Sequence, residues 1–403
     1  MDIIEDVNHA GDATFLRKLN ESAMLELIRR DGPITRSDVS QRLHLSLPTI
    51  TRIVTNLIEE NLVRELSAAD SRGGRRPALL EFNYRANLVI GVYVGQRMIG
   101  ALADLNGQII ERRSAPSLPG EAGIEALVGL IKELHEHAAS LGLAVRGAGV
   151  GVPSIVTYPC GVVALAPGLG WRDLPLKERL QRVLDFPVLV ENEVNLIALG
   201  ESWRGAGRGI RNLICVSLGT GIGAGLVLGG QLYRGSHSAA GEVGYLVPHT
   251  QYLGERVNGF GTLESLAGRN GLVARARVHL ACGASSSLAE RSSQEITAEA
   301  VLEAAGDGDQ LACSAVSETL DYLCIAIANL ACIIDPERIV LSGDLAEYAG
   351  LLVEPIRSRI EGLVPAMPEI VVSELRMDAA VLGAVAVVMR ETSDALFVYP
   401  SRA

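Results

Sequence analysis

The sequence predicts an α/β protein in which a small, mainly helical head precedes a larger body. The head, residues 1–82, has closely spaced helix starts and ends in a short hairpin pattern. The body, residues 83–403, opens with three strand patterns, a long helix and a further strand. A second strand-rich start at residues 213–228 repeats this theme, which indicates two similar lobes with a cleft between them.

The composition excludes several classes of protein. Aromatic residues make up 4% of the 403 residues and the net charge is −11, which argues against a single-stranded nucleic-acid platform and a general polyanion binder. The six cysteines form no C-x-x-C pair, which is typical of reduced thiols. The first ten residues lack the order of a signal peptide, and the longest apolar run, Tyr322 to Ile334, is too short to span a bilayer. We therefore expect a cytoplasmic protein with no membrane partner.

Two capping signals organise the head. A first helix ends at Asp31-Gly32-Pro33, and Thr35 and Asp38 then form a capping-box pattern before a short second helix. Ser46 is placed to cap a third helix over residues 47–60. Two short helices joined by a tight turn predict a helix-turn-helix, which places its second helix in the major groove of double-stranded DNA.

The third helix is predicted to have one apolar and one polar side. The apolar side chains expected to be buried are Ile50, Ile53, Val54, Leu57 and Ile58. The candidate contacts to base edges or grooves are Ser46, Pro48, Thr49, Thr51 and Arg52. Two strand patterns, residues 63–66 and 78–82, flank a loop rich in Gly and Arg, as in a β-hairpin wing. The wing arginines expected to meet phosphates or a minor groove are Arg72, Arg75 and Arg76.

Both parts of the chain resemble the ROK family (repressors, open reading frames and kinases). Residues 45–54, 62–63 and 73–77 are similar to the recognition helix and wing of its repressors. Residues 85–390 are similar to its sugar-kinase-type body, which implies an actin-like fold of two lobes with a hexose in the cleft. The matching body segments are residues 161–171, 188–201, 217–225, 240–244, 261–264, 338–343 and 378–384.

The resemblance also locates the positions that serve phosphoryl transfer in the family's kinases. Their first phosphate turn, Asp-x-Gly-Gly-Thr, is Tyr93-Val94-Gly95-Gln96-Arg97 here, so a bulky phenol replaces the acid. Their catalytic Asp matches Glu193, and misplacing a carboxylate by about 1 Å costs on the order of 10²-fold in rate. The second turn, residues 219–223, is intact, with a purely structural hairpin as the alternative interpretation. We therefore predict no catalytic residue and no cofactor.

The sugar contacts of the family survive better, because several carboxylates and an amide able to bind hydroxyl groups remain. Any one of these glutamates taken alone could instead be a solvated surface residue that binds no sugar. The family's histidine after Glu-x-Gly is replaced by Tyr245, and its Pro-Asn pair is Pro167-Gly168. The predicted sugar-binding residues are Pro167, Gly168, Asn192, Glu193, Glu242, Tyr245 and Glu264.

The zinc ligands of the family are missing. The resemblance places Glu255, Val257, Thr262 and Tyr245 where the family has three cysteines and a histidine. These side chains offer no thiolate or imidazole, so we predict no metal.

The patterns together favour a sugar-responsive transcriptional regulator, expected to repress carbohydrate-utilisation genes. A homodimer or dimer of dimers would span a pseudo-palindromic operator, and a sugar effector in the cleft would change the spacing of the DNA-binding heads. Two alternatives stay open: an ATP-dependent sugar kinase with an appended DNA-binding head, and a regulator whose body binds no ligand. Arg97 has two interpretations, a contact to a ligand phosphate and a surface ion pair.

Overall fold

The computed structural model describes residues 13–66, 78–254 and 261–392, so the wing arginines Arg72, Arg75 and Arg76 lie outside the described residues. Over residues 13–66 and 78–82, the head contains three helices and three short strands. Their bounds are α1 (Ala13–Asp31), β1 (Ile34–Thr35), α2 (Arg36–Leu43), α3 (Leu47–Glu59), β2 (Val63–Leu66) and β3 (Leu79–Phe82).

Local hydrogen bonds explain where α2 and α3 begin. Thr35 Oγ1 accepts a hydrogen bond from the backbone N–H of Asp38 at 3.1 Å, and the Asp38 carboxylate accepts one from the N–H of Thr35. Ser46 Oγ accepts from the N–H of Thr49 at 3.4 Å. His44 ends α2 in the left-handed conformation, with φ of 54°. Both predicted caps are confirmed, and they set the turn between the two helices.

The predicted hairpin is also present. β2 and β3 pair antiparallel, and β1 pairs with the other edge of β3. Of the apolar residues predicted for the buried side of α3, four are buried, namely Ile50, Ile53, Val54 and Leu57. The prediction for Ile58 is wrong: it lies in the last turn of the helix, past the edge of the head's core, and is 37% exposed.

The first lobe of the body is built on a five-stranded sheet. Its elements are β4 (Leu88–Val94), β5 (Arg97–Asp104), β6 (Ile109–Pro116), α4 (Glu121–Ser140), β7 (Val145–Val152), β8 (Val156–Thr157), β9 (Val162–Ala166), β10 (Trp171–Pro175), α5 (Leu176–Gln181), β11 (Val188–Asn192) and α6 (Glu193–Arg204). The strand order is β11-β7-β4-β5-β6, and β8 to β10 form a small separate sheet. β5 and β6 extend the sheet antiparallel from β4, whereas β7 and β11 extend it in parallel.

The second lobe repeats this arrangement. Its elements are β12 (Leu213–Leu218), β13 (Ile222–Leu228), β14 (Gln231–Leu232), α7 (Thr262–Ala267), α8 (Arg269–Ala281), α9 (Ala298–Gly306), α10 (Gln310–Ile334), β15 (Arg338–Ser342), α11 (Ala349–Ile360), β16 (Glu369–Val372) and α12 (Asp378–Glu391). The strand order β14-β13-β12-β15-β16 again places two antiparallel neighbours on one side of the first strand and two parallel strands on the other. The prediction of two similar lobes is confirmed.

Helices α6 and α12 pack tightly between the two sheets. α6 lies against β12 and β13 of the second lobe, and α12 lies against β4 and β7 of the first. A β-carbon at Gly200 of α6 would lie 2.1 Å from the carbonyl oxygen of Ala379, and one at Gly383 of α12 would lie 1.8 Å from that of Leu196. Only glycine permits this approach, so the two helices link the lobes closely.

One continuous hydrophobic cluster joins the head to the body. Met24 and Ile28 of α1 belong to the same cluster as Val385 and Val388 of α12. In addition, the Tyr84 hydroxyl donates a hydrogen bond to the backbone carbonyl of α1 at Arg29, at 3.1 Å. The head and the C-terminal half of α12 therefore contribute to the same hydrophobic core.

Within the described part of the chain, α10 is the one helix long and apolar enough, by length and composition, to cross a membrane. Its buried residues, Leu311, Val316, Leu323 and Ile327 among them, belong to the core of the second lobe. Packing against this core accounts for the apolar character of the helix.

Candidate functional site

The first turns of α3 bring the predicted DNA contacts of the head together. Pro48, Thr51 and Arg52 are exposed, and Thr49 is half-buried. Ser46 is exposed as well, and its Oγ lies 2.9 Å from Thr49 Oγ1 in addition to capping the helix. Polar side chains at the positive end of a helix dipole suit contact with phosphates and base edges. This surface is the candidate DNA-binding face.

The candidate effector site begins where β11 passes into α6. Asn192 caps α6: its Oδ1 accepts hydrogen bonds from the backbone N–H of Val194 at 2.7 Å and of Asn195 at 3.3 Å. Its Nδ2 donates to the carbonyl of Ser154 at 3.0 Å. These bonds hold Asn192 in place and fix the direction in which the next residue, Glu193, enters the cleft.

Glu193 is half-buried in this cleft, and its carboxyl faces Tyr93, near the end of β4. Burial raises the pKa of the Glu193 carboxyl to about 7, an effect that hydrogen bonding to Tyr93 opposes and the charge of Asp344 reinforces. Burial and the charges of Glu193 and Asp344 raise the pKa of the Tyr93 phenol well above its ordinary value, so the phenol stays neutral and able to donate. One carboxylate oxygen, Glu193 Oε2, is buried with no hydrogen-bond partner among the described residues. It is a ready acceptor for a ligand hydroxyl.

Glu242 and Glu264 form a second acidic group, contributed by the second lobe. Burial raises the pKa of both carboxyls, and the charge of Glu264 raises that of Glu242 further. Glu264 Oε2 accepts a hydrogen bond from the backbone N–H of Ile222 at 2.9 Å. The next residue, Gly223, packs against the side chain of Val194 at the start of α6. The start of β13 therefore connects the Glu242 and Glu264 pair to the N-terminus of α6, where Glu193 lies.

Several backbone groups of the glycine turn at residues 219–223 are engaged in hydrogen bonds. The N–H of Gly219 donates to the carbonyl of Gly221 at 3.0 Å, and the carbonyl of Gly219 accepts from the N–H of Arg269. The N–H of Ile222 is bonded to Glu264. These bonds agree with the structural interpretation of the turn.

Arg269 and Asp344 extend the site at the edge of the cleft. Arg269 Nη1 lies 2.9 Å from Asp344 Oδ2, and the same guanidinium pairs with Glu299. Asp344 is close enough to influence the pKa of both Tyr93 and Glu193. Two carboxylates therefore share this one arginine.

A buried ion pair supports the start of α6 from behind. Arg234 Nε lies 2.6 Å from Glu191 Oε2, and the guanidinium sits 3.8 Å above the ring of Tyr158. Glu191 Oε1 accepts from Asn195 Nδ2 at 3.0 Å. The charges of Arg234 and Glu191 neutralise each other. Arg234 therefore does not neutralise the other carboxylates of the cleft.

Known proteins share this combination of head and cleft. A family model described as ROK family matches residues 89–391, and one described as winged helix-turn-helix DNA-binding matches residues 19–64. The chain belongs to the ROK family. The xylose repressor of Caldicellulosiruptor bescii is 30% identical over 390 residues, which covers 94% of this chain and 98% of that protein.

Two solved ROK structures place the fold within the family. A ROK family transcriptional regulator, described as a homologue of the Escherichia coli Mlc protein, matches with a TM-score of 0.83 and 26% identity and covers 94% of this chain and 98% of its own. A ROK family glucokinase from Streptomyces griseus, solved with glucose and AMPPNP, matches with a TM-score of 0.64 and 28% identity. It covers 75% of this chain and 99% of its own, so it lacks a counterpart to a quarter of the present sequence.

Three residues predicted from the ROK resemblance to bind sugar have exposed side chains or lie in exposed turns. Tyr245, at the end of a short 3₁₀ turn, is 62% exposed. Pro167 and Gly168 are exposed in another 3₁₀ turn, between β9 and β10. Arg97 donates a hydrogen bond to Ser114 Oγ on the neighbouring strand, at 3.3 Å. The role of Tyr245, Pro167 and Gly168 in binding stays a prediction.

The positions that carry zinc ligands elsewhere in the ROK family are only partly described. Thr262 begins α7, whereas Glu255 and Val257 lie outside the described residues. Over residues 13–66, 78–254 and 261–392, no three His, Cys, Asp or Glu side chains group as a metal site. The absence of a metal stays a prediction.

Asp344 and Arg269 were not among the site residues predicted from the sequence. Both directly follow a glycine that ends a structural segment: Asp344 follows Gly343 after β15, and Arg269 follows Gly268 before α8. For Asp344 the strand–glycine boundary is a usable signal, because in α/β sheets ligands bind outside the carboxyl ends of the strands; Arg269 follows helix α7 and has no such signal.

Proposed function

We propose that this ROK protein is a sugar-responsive transcriptional repressor whose body binds a sugar without phosphorylating it. The head, residues 1–82, would bind operator DNA, and the body, residues 83–403, would bind the effector. The observation that carries the proposal is the Tyr93–Glu193 contact, in which a neutral phenol faces the carboxylate at the position of the family's catalytic base.

The head supports the DNA-binding half of this proposal. A capped helix with exposed Pro48, Thr51 and Arg52 at its start follows a tight turn, as in a recognition helix. The xylose repressor that covers nearly the whole chain indicates a carbohydrate-linked role, and we place xylose first among the sugars to be tested.

The cleft supports binding without catalysis. Phosphoryl transfer requires positioned phosphates and a correctly placed base. Here the Tyr93 ring lies over Gly95, and the Glu264 carboxylate already accepts the N–H of Ile222 in the second glycine turn. Sugar hydroxyls, in contrast, would find Glu193, Glu242 and Glu264 as acceptors.

The packing provides a route from the effector to the head. Glu193 is the first residue of α6, α6 is packed without clearance on α12, and α12 ends in the cluster that holds the head. A sugar that shifts α6 would therefore reposition the head through rigid helices. A 100-fold change in operator affinity needs only about 2.7 kcal/mol of difference in sugar affinity between the two states.

We further propose that the protein acts in the cytoplasm as a homodimer or a dimer of dimers. Two heads related by a two-fold axis would match the two half-sites of a pseudo-palindromic operator.

Operator binding and release test the proposal. A duplex selected by the protein from a randomised library is labelled, and anisotropy is measured with xylose, glucose and N-acetylglucosamine present or absent. We expect at least one sugar to change operator affinity by about 100-fold. Arg52→Ala should weaken operator binding at least about 10-fold, whereas Arg291→Ala, an exposed arginine of the body, should not change it. No selected duplex at low salt, or equal losses in both variants, would contradict DNA binding through α3.

A sugar kinase with an appended head is the second candidate, favoured by the likeness to the Streptomyces griseus glucokinase. A coupled ADP-release assay with the same sugars separates the two functions. Turnover in the ordinary kinase range, about 1–100 s⁻¹, would overturn the non-catalytic proposal. Calorimetry with the sugars tests the remaining alternative, a body without any ligand.

A further inference from the structure

The turn between β5 and β6, residues 104–108, is fixed by its own hydrogen bonds. Asp104 Oδ1 accepts from the backbone N–H groups of Asn106 and Gln108, both at 2.9 Å. The N–H of Gly107 donates to the backbone carbonyl of Asp104 at 2.9 Å, and Asp104 is only 3% exposed. An aspartate that bonds the backbone of the following residues in this way stabilises a single turn conformation. We call this segment the β5–β6 turn.

The last turn of α6 packs against the β5–β6 turn. A β-carbon at Gly107 would come within 2.8 Å of the Trp203 ring, and the backbone of Gly107 has a φ of 76°, so both the space and the conformation require glycine. The Arg204 guanidinium donates a hydrogen bond to Asn106 Oδ1. Glu193 begins the same helix of 12 residues. One helix, about 18 Å long, therefore spans the distance from the cleft to this turn.

Tyr84 joins the same turn to the head. The N–H of Leu105 donates to the backbone carbonyl of Tyr84 at 2.9 Å, and the Tyr84 hydroxyl donates to the backbone carbonyl of Arg29 at 3.1 Å. Leu105 is fully buried in the hydrophobic cluster that also contains Met24 of α1. Tyr84 therefore connects the β5–β6 turn to the last turn of α1.

The ends of α6 and α1 are also close enough to interact electrostatically. Burial lowers the pKa of the Arg204 guanidinium, and the positive charge of Arg29 lowers it further. Glu26 pairs with Arg29 at 2.8 Å and offsets part of this repulsion. A displacement of Arg204 would therefore change the surroundings of α1 directly.

We propose that the β5–β6 turn couples the cleft to the head, with Asn106 and Tyr84 as positioning residues at its two contacts. This coupling rests on the proposed sugar-responsive function and adds a contact between α6 and the head to the one through α12. A sugar that shifts α6 would move Arg204 and the turn bonded to it. The movement would alter the hydrogen bond from Tyr84 to α1 and so the orientation of the head.

Tyr84→Phe and Asn106→Ala test the two contacts of the turn. Tyr84→Phe removes the hydroxyl that bonds α1 and keeps the ring, and Asn106→Ala removes the acceptor of Arg204 at an exposed position. Operator affinity of the full chain is measured by anisotropy with xylose, glucose and N-acetylglucosamine present or absent. For the sugar that changes operator affinity, each variant should reduce that change at least about 3-fold.

Tyr322→Phe and Asn329→Ala are the matched controls, because both residues lie on α10 of the second lobe. Tyr322 is half-buried like Tyr84, and its hydroxyl lies 3.4 Å from that of Tyr252; Asn329 is exposed like Asn106. Both controls should keep the full effect of the sugar on operator affinity.

Two further measurements distinguish coupling from a general loss of structure. Calorimetry without DNA should show unchanged sugar affinity in Tyr84→Phe and Asn106→Ala, since neither residue lies in the cleft. In the double variant, the loss of the sugar effect should be smaller than the product of the two single losses, because both act through one turn.

The outcomes separate this coupling from the proposed function. An unchanged sugar effect in either Tyr84→Phe or Asn106→Ala overturns the coupling while the protein remains a sugar-responsive regulator. Equal losses in the α10 controls, weaker sugar binding without DNA, or fully multiplicative losses in the double variant overturn it as well. If none of the three sugars changes the operator affinity of the unaltered chain, the proposed function fails, and the coupling with it.

Discussion

Gly200→Ala probes the helix contact on which communication between cleft and head depends. Gly200 lies inside α6 and faces α12, where a β-carbon would meet the carbonyl oxygen of Ala379 at 2.1 Å and the nitrogen of Gly383 at 3.1 Å. Tolerable contacts of a β-carbon begin at 3.0–3.4 Å, so α6 and α12 must separate locally by about 1 Å.

The magnitude follows from two opposing effects. Overpacking a close-packed interior costs about 1–3 kcal/mol. Replacing glycine by alanine within a helix stabilises it by about 0.5–1 kcal/mol. Gly129→Ala provides the matched control, because Gly129 lies inside α4 and an added β-carbon there meets nothing within 4 Å. The difference in free energy of unfolding between the two variants should therefore be about 1–3 kcal/mol, with Gly129→Ala the more stable.

Urea denaturation followed by circular dichroism measures this difference. Anisotropy titrations with the selected operator should also show that Gly200→Ala reduces the effect of sugar on DNA affinity, because α12 carries the shift to the head. Gly129→Ala should keep the full sugar effect. Equal stabilisation of the two variants would refute the close packing of α6 on α12, and an unchanged sugar effect in Gly200→Ala would refute the route through these helices.

Three further predictions concern the cleft and the head. The pKa of Glu193 is about 7, above its value in the unfolded chain, so the folded state binds the proton more tightly. The free energy of unfolding should therefore fall as the pH rises from about 4 to 7. In urea titrations across that range, Glu193→Gln should remove about 3 kcal/mol of this pH dependence. Ser46→Ala removes the cap of α3 and should cost about 1 kcal/mol of unfolding free energy, and an unchanged urea midpoint would contradict the capping role. Replacing Arg75 and Arg76 with Ala should weaken binding to all duplexes and flatten its salt dependence; an unchanged slope of log affinity against log salt would count against the wing.

The head shows how much of a structure local signals determine. Thr35 and Asp38 are three residues apart, as are Ser46 and Thr49, so their side chains bond backbone groups in the same turn of chain. Such bonds form whatever the rest of the protein does, and the sequence therefore predicted the starts of α2 and α3. The strand patterns, which are also local, indicated a repeated theme in the body, whereas the actin-like fold of two lobes was implied by the resemblance to the ROK family.

The cleft depended instead on contacts between distant parts of the chain. Tyr93, Glu193 and Asp344 come from the first strand of the first lobe, the start of α6 and the end of β15, about 100 and 150 residues apart. The family resemblance identified Glu193 as a carboxylate at a catalytic position. Its contact with the neutral Tyr93 phenol, its unpaired Oε2 and its raised pKa arise only when the sheets bring these segments together and exclude water. The hydrogen bond from the N–H of Ile222 to Glu264 likewise depends on packing. By sequence alone, residues 219–223 are compatible with a phosphate-binding turn or with a structural hairpin.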